Sequence, residues 1–397
     1  MDTAMVGLEY SAPVTGENQQ NVQMADLDGD GENEFLIFAK GTAEKPLRIL
    51  VLRNVEDTYV LAATMLFNGS GFDHVEYVDM DGRPGVEIVV GCRLSDQLIR
   101  SASVYTQIGE EMVQLGTVNY SRLMMVDLDG NAQSELFVLR PGQSDTENGV
   151  AELYSVKADQ LERSNEVGMS QTVDKLKRMI VGTLDGGVPA VFAASTVDDT
   201  ALVTDVYALL NGVLTNVAFS NESGTSVQTM RNFYIYADDI DNDTVVELPA
   251  LMNMKPIEMQ DARAAADRHH LIRWYAMTVE GLEVDKMYTF HNFVGGWYVQ
   301  LESAWAPRLT VYPYGNQYQF HIWNEEYKSS DKVFTIIAHT GQNREEQAAH
   351  AGFVIQRTES TVYTAKLEPA AEMLSLTQQS LISNFRMIQQ DWKTGET

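Results

Sequence analysis

Acidic residues recur at alternating positions of one short segment, and this spacing suits a hard cation. The segment from 26 to 34 carries side-chain carboxylates at its positions 1, 3, 5 and 9, and the main-chain carbonyl of position 7 lies between them. Ca²⁺ takes about six to eight oxygen ligands, mostly carboxylates and carbonyls, from a short flexible loop. We therefore predict five calcium ligands in this turn: Asp26, Asp28, Asp30, Glu32 through its carbonyl, and Glu34.

Two later segments repeat these positions. Their predicted ligands are, in the same order, Asp127, Asp129, Asn131, Gln133 and Glu135, and then Asp239, Asp241, Asp243, Val245 and Glu247. An asparagine ligates through its side-chain carbonyl with one charge fewer than a carboxylate. Asp-Gly and Asn-Asp are also ordinary turn formers, so acidic hairpin turns without a cation are the alternative. The recurrence in register favours calcium.

Two further turns have lost part of the pattern. Arg83 stands at position 5 of the second turn, where we expect it to pair with Asp79, Asp81 or Glu87 and to take the place of the metal. The fourth turn keeps only Asp185. We expect no bound cation in these two turns.

The turns divide the chain into repeats of roughly 50 residues. Their first positions are 26, 79, 127, 183 and 239, and apolar runs rich in Val, Ile, Tyr and Phe lead into and out of each turn. A third run in each repeat carries an apolar pair: Leu50-Val51, Val104-Tyr105, Leu153-Tyr154, Val206-Tyr207 and Trp274-Tyr275. A fourth run follows. Four strands in such a repeat predict the blade of a β-propeller.

The pattern Asp-x-Asp-Gly-Asp-Gly-x-x-Glu before an apolar strand resembles the FG-GAP or VCBS repeats of integrin-type β-propellers. The resemblance covers residues 20–290. It implies that each acidic turn joins the first two strands of a blade and binds calcium. We expect a mainly β protein with a propeller of about five four-stranded blades over residues 1–294, its repeats beginning near 22, 75, 123, 179 and 234. A sixth blade from residues before 20 or after 290 is the alternative.

Residues 295–397 have a different sequence pattern, with Trp- and Tyr-rich predicted strands and no acidic turn. Apolar residues then fall at helical spacing: Leu381, Ile382, Phe385, Ile388 and Trp392. Thr377 is the expected N-cap, although Ser380 replaces the glutamate of a capping box. We predict a small α+β domain with a terminal helix.

The composition excludes several function classes. Lys plus Arg is 28 and Asp plus Glu is 56, a net charge of −28, which opposes binding to a nucleic-acid backbone. No apolar stretch is long enough for a transmembrane helix. The chain has no Gly-x-Ser-x-Gly, His-Glu-x-x-His or Cys-x-x-Cys motif and no phosphate-binding loop, and its one cysteine, Cys92, stands in an apolar run. We therefore expect a non-enzymatic binding or adhesion scaffold with structural calcium sites.

The alternative is a carbohydrate-active protein, either a lectin or a calcium-dependent polysaccharide lyase. A lyase needs a base near a calcium-polarised uronate. A Lys, His or Tyr in a cleft beside an acidic turn would therefore favour it.

The arrangement as a whole resembles exported lipoproteins of Gram-positive gut bacteria. That resemblance implies an extracellular or cell-envelope location, a lipid anchor on a removed leader, and a protein or glycan partner at the cell surface. Met1–Ala4 have neither a basic nor an apolar leader character, so a cytoplasmic location is the alternative. We expect a monomer.

Overall fold

The structure is a computed structural model of a mainly β protein. It describes residues 5–94, 100–144, 147–198, 201–254, 270–326 and 329–388. The chain forms two compact units. The first comprises Met1–Gly182, Val188–Val197 and Val203–Gln228, and the second comprises Thr183–Gly187, Asp198–Leu202 and Thr229–Thr397. This division differs from the boundary at 294–295 predicted from sequence.

The first four sheets are antiparallel meanders whose strands follow chain order. The first contains β1 (Glu9–Tyr10), β2 (Val22–Ala25), β3 (Glu34–Lys40), β4 (Leu47–Val55) and β5 (Thr58–Phe67). Strands β1 and β2 pair with successive parts of β3. The second contains β6 (Gly71–Val78), β7 (Glu87–Arg93), β8 (Arg100–Ile108) and β9 (Glu111–Tyr120).

The third and fourth sheets repeat the four-stranded pattern. The third contains β10 (Arg122–Val126), β11 (Glu135–Arg140), β12 (Val150–Lys157) and β13 (Gln160–Gly168). The fourth contains β14 (Leu176–Thr183), β15 (Pro189–Thr196), β16 (Leu202–Leu210) and β17 (Val213–Asn216). Short 3₁₀ helices, Val173–Lys175 and Val227–Thr229, flank this fourth sheet in the sequence.

The remaining described strands form two five-stranded sheets. The fifth sheet contains β18 (Leu248–Asn253), β19 (His270–Met277), β20 (Glu283–Asn292) and β21 (Trp297–Leu301). The sixth contains β22 (Leu309–Tyr314), β23 (Gln317–Asn324), β24 (Ser329–Thr340), β25 (Phe353–Arg357) and β26 (Thr361–Leu367). Strand β27 (Phe385–Met387) returns to the fifth sheet and pairs with β21.

Helical segments are few and short in the described chain. They are the α-helices α1 (Arg344–Ala349) and α2 (Gln378–Asn384) and the further 3₁₀ helices Ala306–Arg308 and Pro369–Leu374. Within the described residues, every helix is too short or too polar to cross a lipid bilayer.

Two-residue turns join the last two strands in each of the first four sheets. These turns are Glu56-Asp57, Gly109-Glu110, Ala158-Asp159 and Asn211-Gly212. In three of them both residues have positive φ, the backbone of a type I′ turn, whose twist matches that of the flanking strands. This geometry sets the pairing register of each outer strand.

A β-bulge recurs at one place in four of the described sheets. The register shifts at Val51/Leu52, Val104/Tyr105, Leu153/Tyr154 and Trp274/Tyr275. Each shift lies within or beside the apolar pair that aligns the repeats in the sequence. Strands β19 and β20 therefore correspond to β4 and β5, although β19 is only the second strand of its sheet. The segment before the fifth turn makes only an isolated bridge, Asp238 to Glu247.

Consecutive sheets of the first unit pack face to face. One apolar cluster joins Phe38 and Ile49 of the first sheet to Phe72 and Ile88 of the second. The next cluster joins the second sheet to the third, and another joins the third to the fourth. Both faces of a strand such as β7 are buried, which explains its nearly continuous apolar sequence.

In the second unit, aromatic residues form the core between the fifth and sixth sheets. Trp297 of β21 and Phe290 of β20 pack against Tyr318, and Phe290 also contacts Phe320, which stacks on Phe334. Strand β21 (Trp297–Leu301) pairs with β20. The residues that the sequence pattern assigned to the start of the C-terminal domain therefore belong to the fifth sheet.

The terminal helix is shorter than the sequence pattern predicted. Helix α2 ends at Asn384, and Phe385 starts strand β27 instead of continuing the apolar face. Burial of Phe385 against Trp297 and Tyr363 accompanies the change to extended backbone. Trp392 lies outside the described residues. Helix α1, with the strong helix formers Arg-Glu-Glu-Gln-Ala-Ala, was missed.

Candidate metal centres

The first, third and fifth acidic turns share one backbone conformation. Their positions 4 and 6 all have positive φ, as in the pairs Gly29 and Gly31, Gly130 and Ala132, and Asn242 and Thr244. Asparagine tolerates this region, but a β-branched threonine rarely adopts it. The turn geometry is therefore kept even where the side chain opposes it.

The position-1 aspartate organises each of these turns. Asp26 accepts hydrogen bonds from the amides of Gly29 (2.8 Å) and Gly31 (3.1 Å). Asp127 accepts bonds from Gly130 and Ala132 at 2.7 and 2.8 Å in the third turn. Asp239 accepts two such bonds at 2.9 Å in the fifth. These bonds curl the chain around its own carboxylates.

Carboxylates from positions 1, 3 and 9 converge in four turns. In each group, one oxygen of every residue lies within 4.8 Å of the others. The groups are Asp26, Asp28 and Glu34; Asp79, Asp81 and Glu87; Asp127, Asp129 and Glu135; and Asp239, Asp241 and Glu247. Each could hold a metal ion. The donors are hard oxygens, which suit an alkaline-earth cation rather than a soft metal.

The residues predicted at positions 5 and 7 play a different part in this geometry. Asp30 and Asp243 lie outside the carboxylate groups. Asp30 accepts a bond from the amide of Glu32 (2.7 Å), and Asp243 accepts one from Val245 (2.8 Å). In the third turn, Asn131 likewise accepts a bond from the amide of Gln133 (2.6 Å). Position 5 thus fixes the backbone at position 7, while ligation by either position stays a prediction.

The position-9 glutamate is buried in every group and anchored to the backbone. Its carboxylate accepts a hydrogen bond from the position-2 amide, at 2.9 Å for Glu34, 2.7 Å for Glu87, 2.9 Å for Glu135 and 3.1 Å for Glu247. This bond leaves the second carboxylate oxygen for other partners. In Glu87 that oxygen accepts the hydroxyl of Thr106 at 2.8 Å.

Burial and neighbouring aspartates disfavour the charged form of these glutamates. Burial raises the pKa of Glu135 to about 7 and that of Glu247 to about 8, and the surrounding aspartates add to both shifts. The pKa of Glu34 is raised for the same two reasons. The hydrogen bond donated by the position-2 amide lowers the pKa and so opposes the shift in each case. A bound cation would supply the missing positive charge.

The fifth turn carries a further sign of a missing partner. Glu247 is 0 % exposed, and its Oε1 atom is buried without a hydrogen-bond partner. This oxygen belongs to a residue of the converging group. A buried carboxylate oxygen with no donor costs free energy unless a cation satisfies it. The residues at this turn therefore fit a metal ion.

The second and fourth turns contain internal cations. The guanidinium of Arg83 donates to Asp81 (Nε to Oδ2, 2.7 Å) and to Asp159 (2.6 Å), which confirms the predicted pairing within the turn. In the fourth turn, Asp185 forms an ion pair with Lys286 of β20 at 2.9 Å. Sequence analysis missed Lys286, because its partner lies about a hundred residues away along the chain.

The third turn opens onto a cavity of about 250 Å³. Besides the turn, its lining includes Ser155, Lys157, Ser164 and Asn165. Asn165 accepts a bond from the amide of Leu214 and donates to the carbonyl of Gly212, so its side chain is fixed. No sequence signal marked Lys157 or Asn165, because the two strands that carry them meet the turn only in the folded chain.

No protein-family model matches the sequence, and no curated protein matches it. Two solved structures align with most of the chain at low similarity. A protein from Lactobacillus plantarum is 10 % identical, with 81 % of this chain and 85 % of that chain covered and a TM-score of 0.30. The exotype rhamnogalacturonan lyase YesX is 13 % identical, with 83 % and 69 % covered and a TM-score of 0.27. TM-scores this low give no basis for assigning a fold or a function.

Proposed function

We propose that this chain is a non-enzymatic binding scaffold, a β-propeller stabilised by calcium at its first, third and fifth acidic turns. The observation that carries the proposal is the convergence of three carboxylates in each of these turns. Calcium prefers carboxylate and carbonyl oxygens on a short flexible loop. The residues that would hold it are the position-1, position-3 and position-9 carboxylates.

Two features of the fold support the propeller. Each of the first four sheets is an antiparallel meander in chain order, and consecutive sheets of the first unit pack face to face. The turn joins the first two strands in the second, third and fourth sheets and joins β2 to β3 in the first, which matches the place that the FG-GAP resemblance implies. Radial repetition of four-stranded sheets is the propeller architecture.

Calcium titration calorimetry on the full chain tests the cation sites. We expect about three equivalents of uptake, one for each turn without an internal cation. Asp28→Ala removes a converging carboxylate and should lower the stoichiometry by one. Asp81→Ala is the matched control, because it changes the same position in the turn that contains Arg83, and it should leave uptake unchanged. No uptake at millimolar calcium would refute the proposal.

The binding role and location extend the proposal beyond the metal sites. We infer a protein or glycan partner at the cell surface and an extracellular or cell-envelope location, where calcium is plentiful enough to fill such turns. Low-affinity extracellular calcium modules work at about 0.1–1 mM. Secretion of the protein by its native host, measured by cell fractionation, tests the location. Recovery in the cytoplasm alone would contradict it.

The third-turn cavity favours a second candidate, a calcium-dependent carbohydrate-active protein. Lys157 lines the cavity together with Asp129 and Glu135, so a basic side chain lies beside an acidic turn. A uronate bound to calcium there would place its acidic hydrogen near an amine. A glycan array followed by a lyase assay on pectic polysaccharides separates the two candidates. Unsaturated products that disappear in Lys157→Met would establish the lyase and end the non-enzymatic proposal.

A further inference from the structure

The fourth turn, which has lost its own ligands, is attached directly to the fifth turn within the second unit. Thr183 donates its amide (3.2 Å) and its hydroxyl (3.0 Å) to the carbonyl of Thr244. Its own carbonyl accepts the amide of Val246 at 3.0 Å. The amide of Asp185 donates to the carbonyl of Met277 at 2.9 Å. The degenerate turn is therefore held against the chain that forms the fifth cation site.

This attachment places a lysine ammonium beside the fifth carboxylate cluster. Lys286 pairs with Asp185 at 2.9 Å, and both side chains are largely sheltered from solvent, at 21 % and 33 % exposure. Asp243 and Glu247 of the fifth turn also act electrostatically on Lys286, after the larger effect of Asp185. The ammonium in turn acts on Asp241. A positive charge held by Asp185 thus acts on the carboxylates of the fifth turn.

Building on the proposed calcium binding, we propose that Lys286 and Asp185 form a built-in affinity control for the fifth turn. The ammonium repels a divalent cation, and Asp185 both positions that ammonium and offsets its charge. The fifth turn binds calcium more weakly than its bare carboxylates would, so its occupancy responds to calcium levels at which the other turns are full. In this proposal the fourth turn binds no cation itself and instead positions the ammonium that weakens calcium binding at the fifth turn.

Two substitutions that change the net charge beside the fifth turn in opposite directions test this proposal. The full chain with Asp28→Ala and Asp129→Ala keeps the fifth turn as its one expected strong site, and calorimetry with calcium chloride measures its affinity. Lys286→Met leaves an extra negative charge and should tighten binding about tenfold. Asp185→Asn leaves the ammonium unbalanced and should weaken binding about tenfold. The double substitution removes the whole ion pair and should tighten binding, but by less than Lys286→Met alone.

Two controls separate charge from structural damage. Lys286→Arg keeps the charge and should keep the background affinity. Lys332→Met removes a lysine that pairs with Glu368 instead, and it should have no effect. If Lys286→Met and Asp185→Asn change the affinity in the same direction, or leave it unchanged, the control mechanism is wrong while calcium binding stands. The fifth turn is not a calcium site if the chain with Asp28→Ala and Asp129→Ala binds no calcium and if Glu247→Gln in the unsubstituted chain leaves calcium uptake unchanged. In that case the proposed function of this turn fails as well.

Discussion

At the scale of single residues, the position-9 glutamate links the fold to the proposed cation sites. It starts a strand or lies just before one, it is buried, and its carboxylate accepts a hydrogen bond from the position-2 amide in all four converging turns. One carboxylate oxygen thereby holds the turn to the strand. Where the turn has no internal cation, the other oxygen remains for a metal ion.

The raised pKa values of Glu135 and Glu247 predict a pH dependence. In the folded protein without cation, these groups keep protons until about pH 7 and about pH 8, whereas in the unfolded chain they lose them near the ordinary value of 4.5. Between these values the unfolded state binds fewer protons than the folded state, so stability without calcium falls as pH rises from about 4.5 to about 8. Calcium affinity should rise over the same window, because the metal displaces protons.

Thermal melting in chelator and calcium titration at the two ends of this window check the prediction. The variant with Glu135→Gln and Glu247→Gln should lose most of the pH dependence. Glu368→Gln is a control, since nearby lysines lower the pKa of that carboxylate below the window. A calcium-free protein that is more stable at the alkaline end would contradict the assignment.

Thr244 tests the cost of the shared turn conformation. A β-branched residue at φ +76° is strained, by about 1–2 kcal/mol relative to a relaxed backbone. Glycine removes that strain but adds about 0.5–1 kcal/mol of unfolded-state entropy. Thr244→Gly should therefore stabilise the protein by up to about 1 kcal/mol in urea unfolding.

The reverse change at the matching position is the control. Gly31 has φ +90° and nothing within 4 Å of an added Cβ, so Gly31→Thr introduces backbone strain without a side-chain clash. We expect it to destabilise. Equal stability of both variants and the parent would show that φ at position 6 carries no strain.

At the scale of elements, the short helix α2 depends on its cap. Thr377 accepts the amide of Ser380 at 3.0 Å, and the hydroxyl of Ser380 accepts the amide of Thr377 at 2.9 Å. Serine thus completes the capping box that the sequence pattern seemed to lack. Thr377→Ala should cost about 1 kcal/mol in urea unfolding. Gln378 is the exposed neighbour of Thr377, and Gln378→Ala should lower the free energy of unfolding much less. Equal losses in the two variants would show that the Thr377 cap does not stabilise the helix.

Sequence patterns predicted the repeated elements well, because the signals are local. Four of the five apolar pairs mark strands at equivalent bulges, and residues at positions 1, 3 and 9 of the acidic pattern lie together in four turns. The patterns failed where distant chain decides the outcome. The apolar face after Leu381 reads as a helix, yet pairing of Phe385 with Val299 ends it. Lys286 and Lys157 lie beside acidic turns only because strands distant in sequence meet after folding.

At the scale of the whole molecule, the net charge of −28 gives cations a general stabilising role. Such an excess destabilises the compact state through self-repulsion, and bound divalent ions offset it. A specific effect of the acidic turns must therefore be distinguished from screening by salt. Magnesium supplies that comparison, because it has the same charge as calcium but demands a tighter octahedral site with shorter bonds.

The most direct test of the account is the melting temperature of the full chain in millimolar calcium and in chelator at equal ionic strength, with magnesium as the third condition. Calcium present at about 100 times its dissociation constant should stabilise the folded state by about 2.7 kcal/mol for each occupied site. We predict a rise of several degrees in calcium, a much smaller rise in magnesium, and a reduced rise in Asp28→Ala. Identical melting temperatures in calcium and chelator would contradict the claim that the acidic turns are calcium sites.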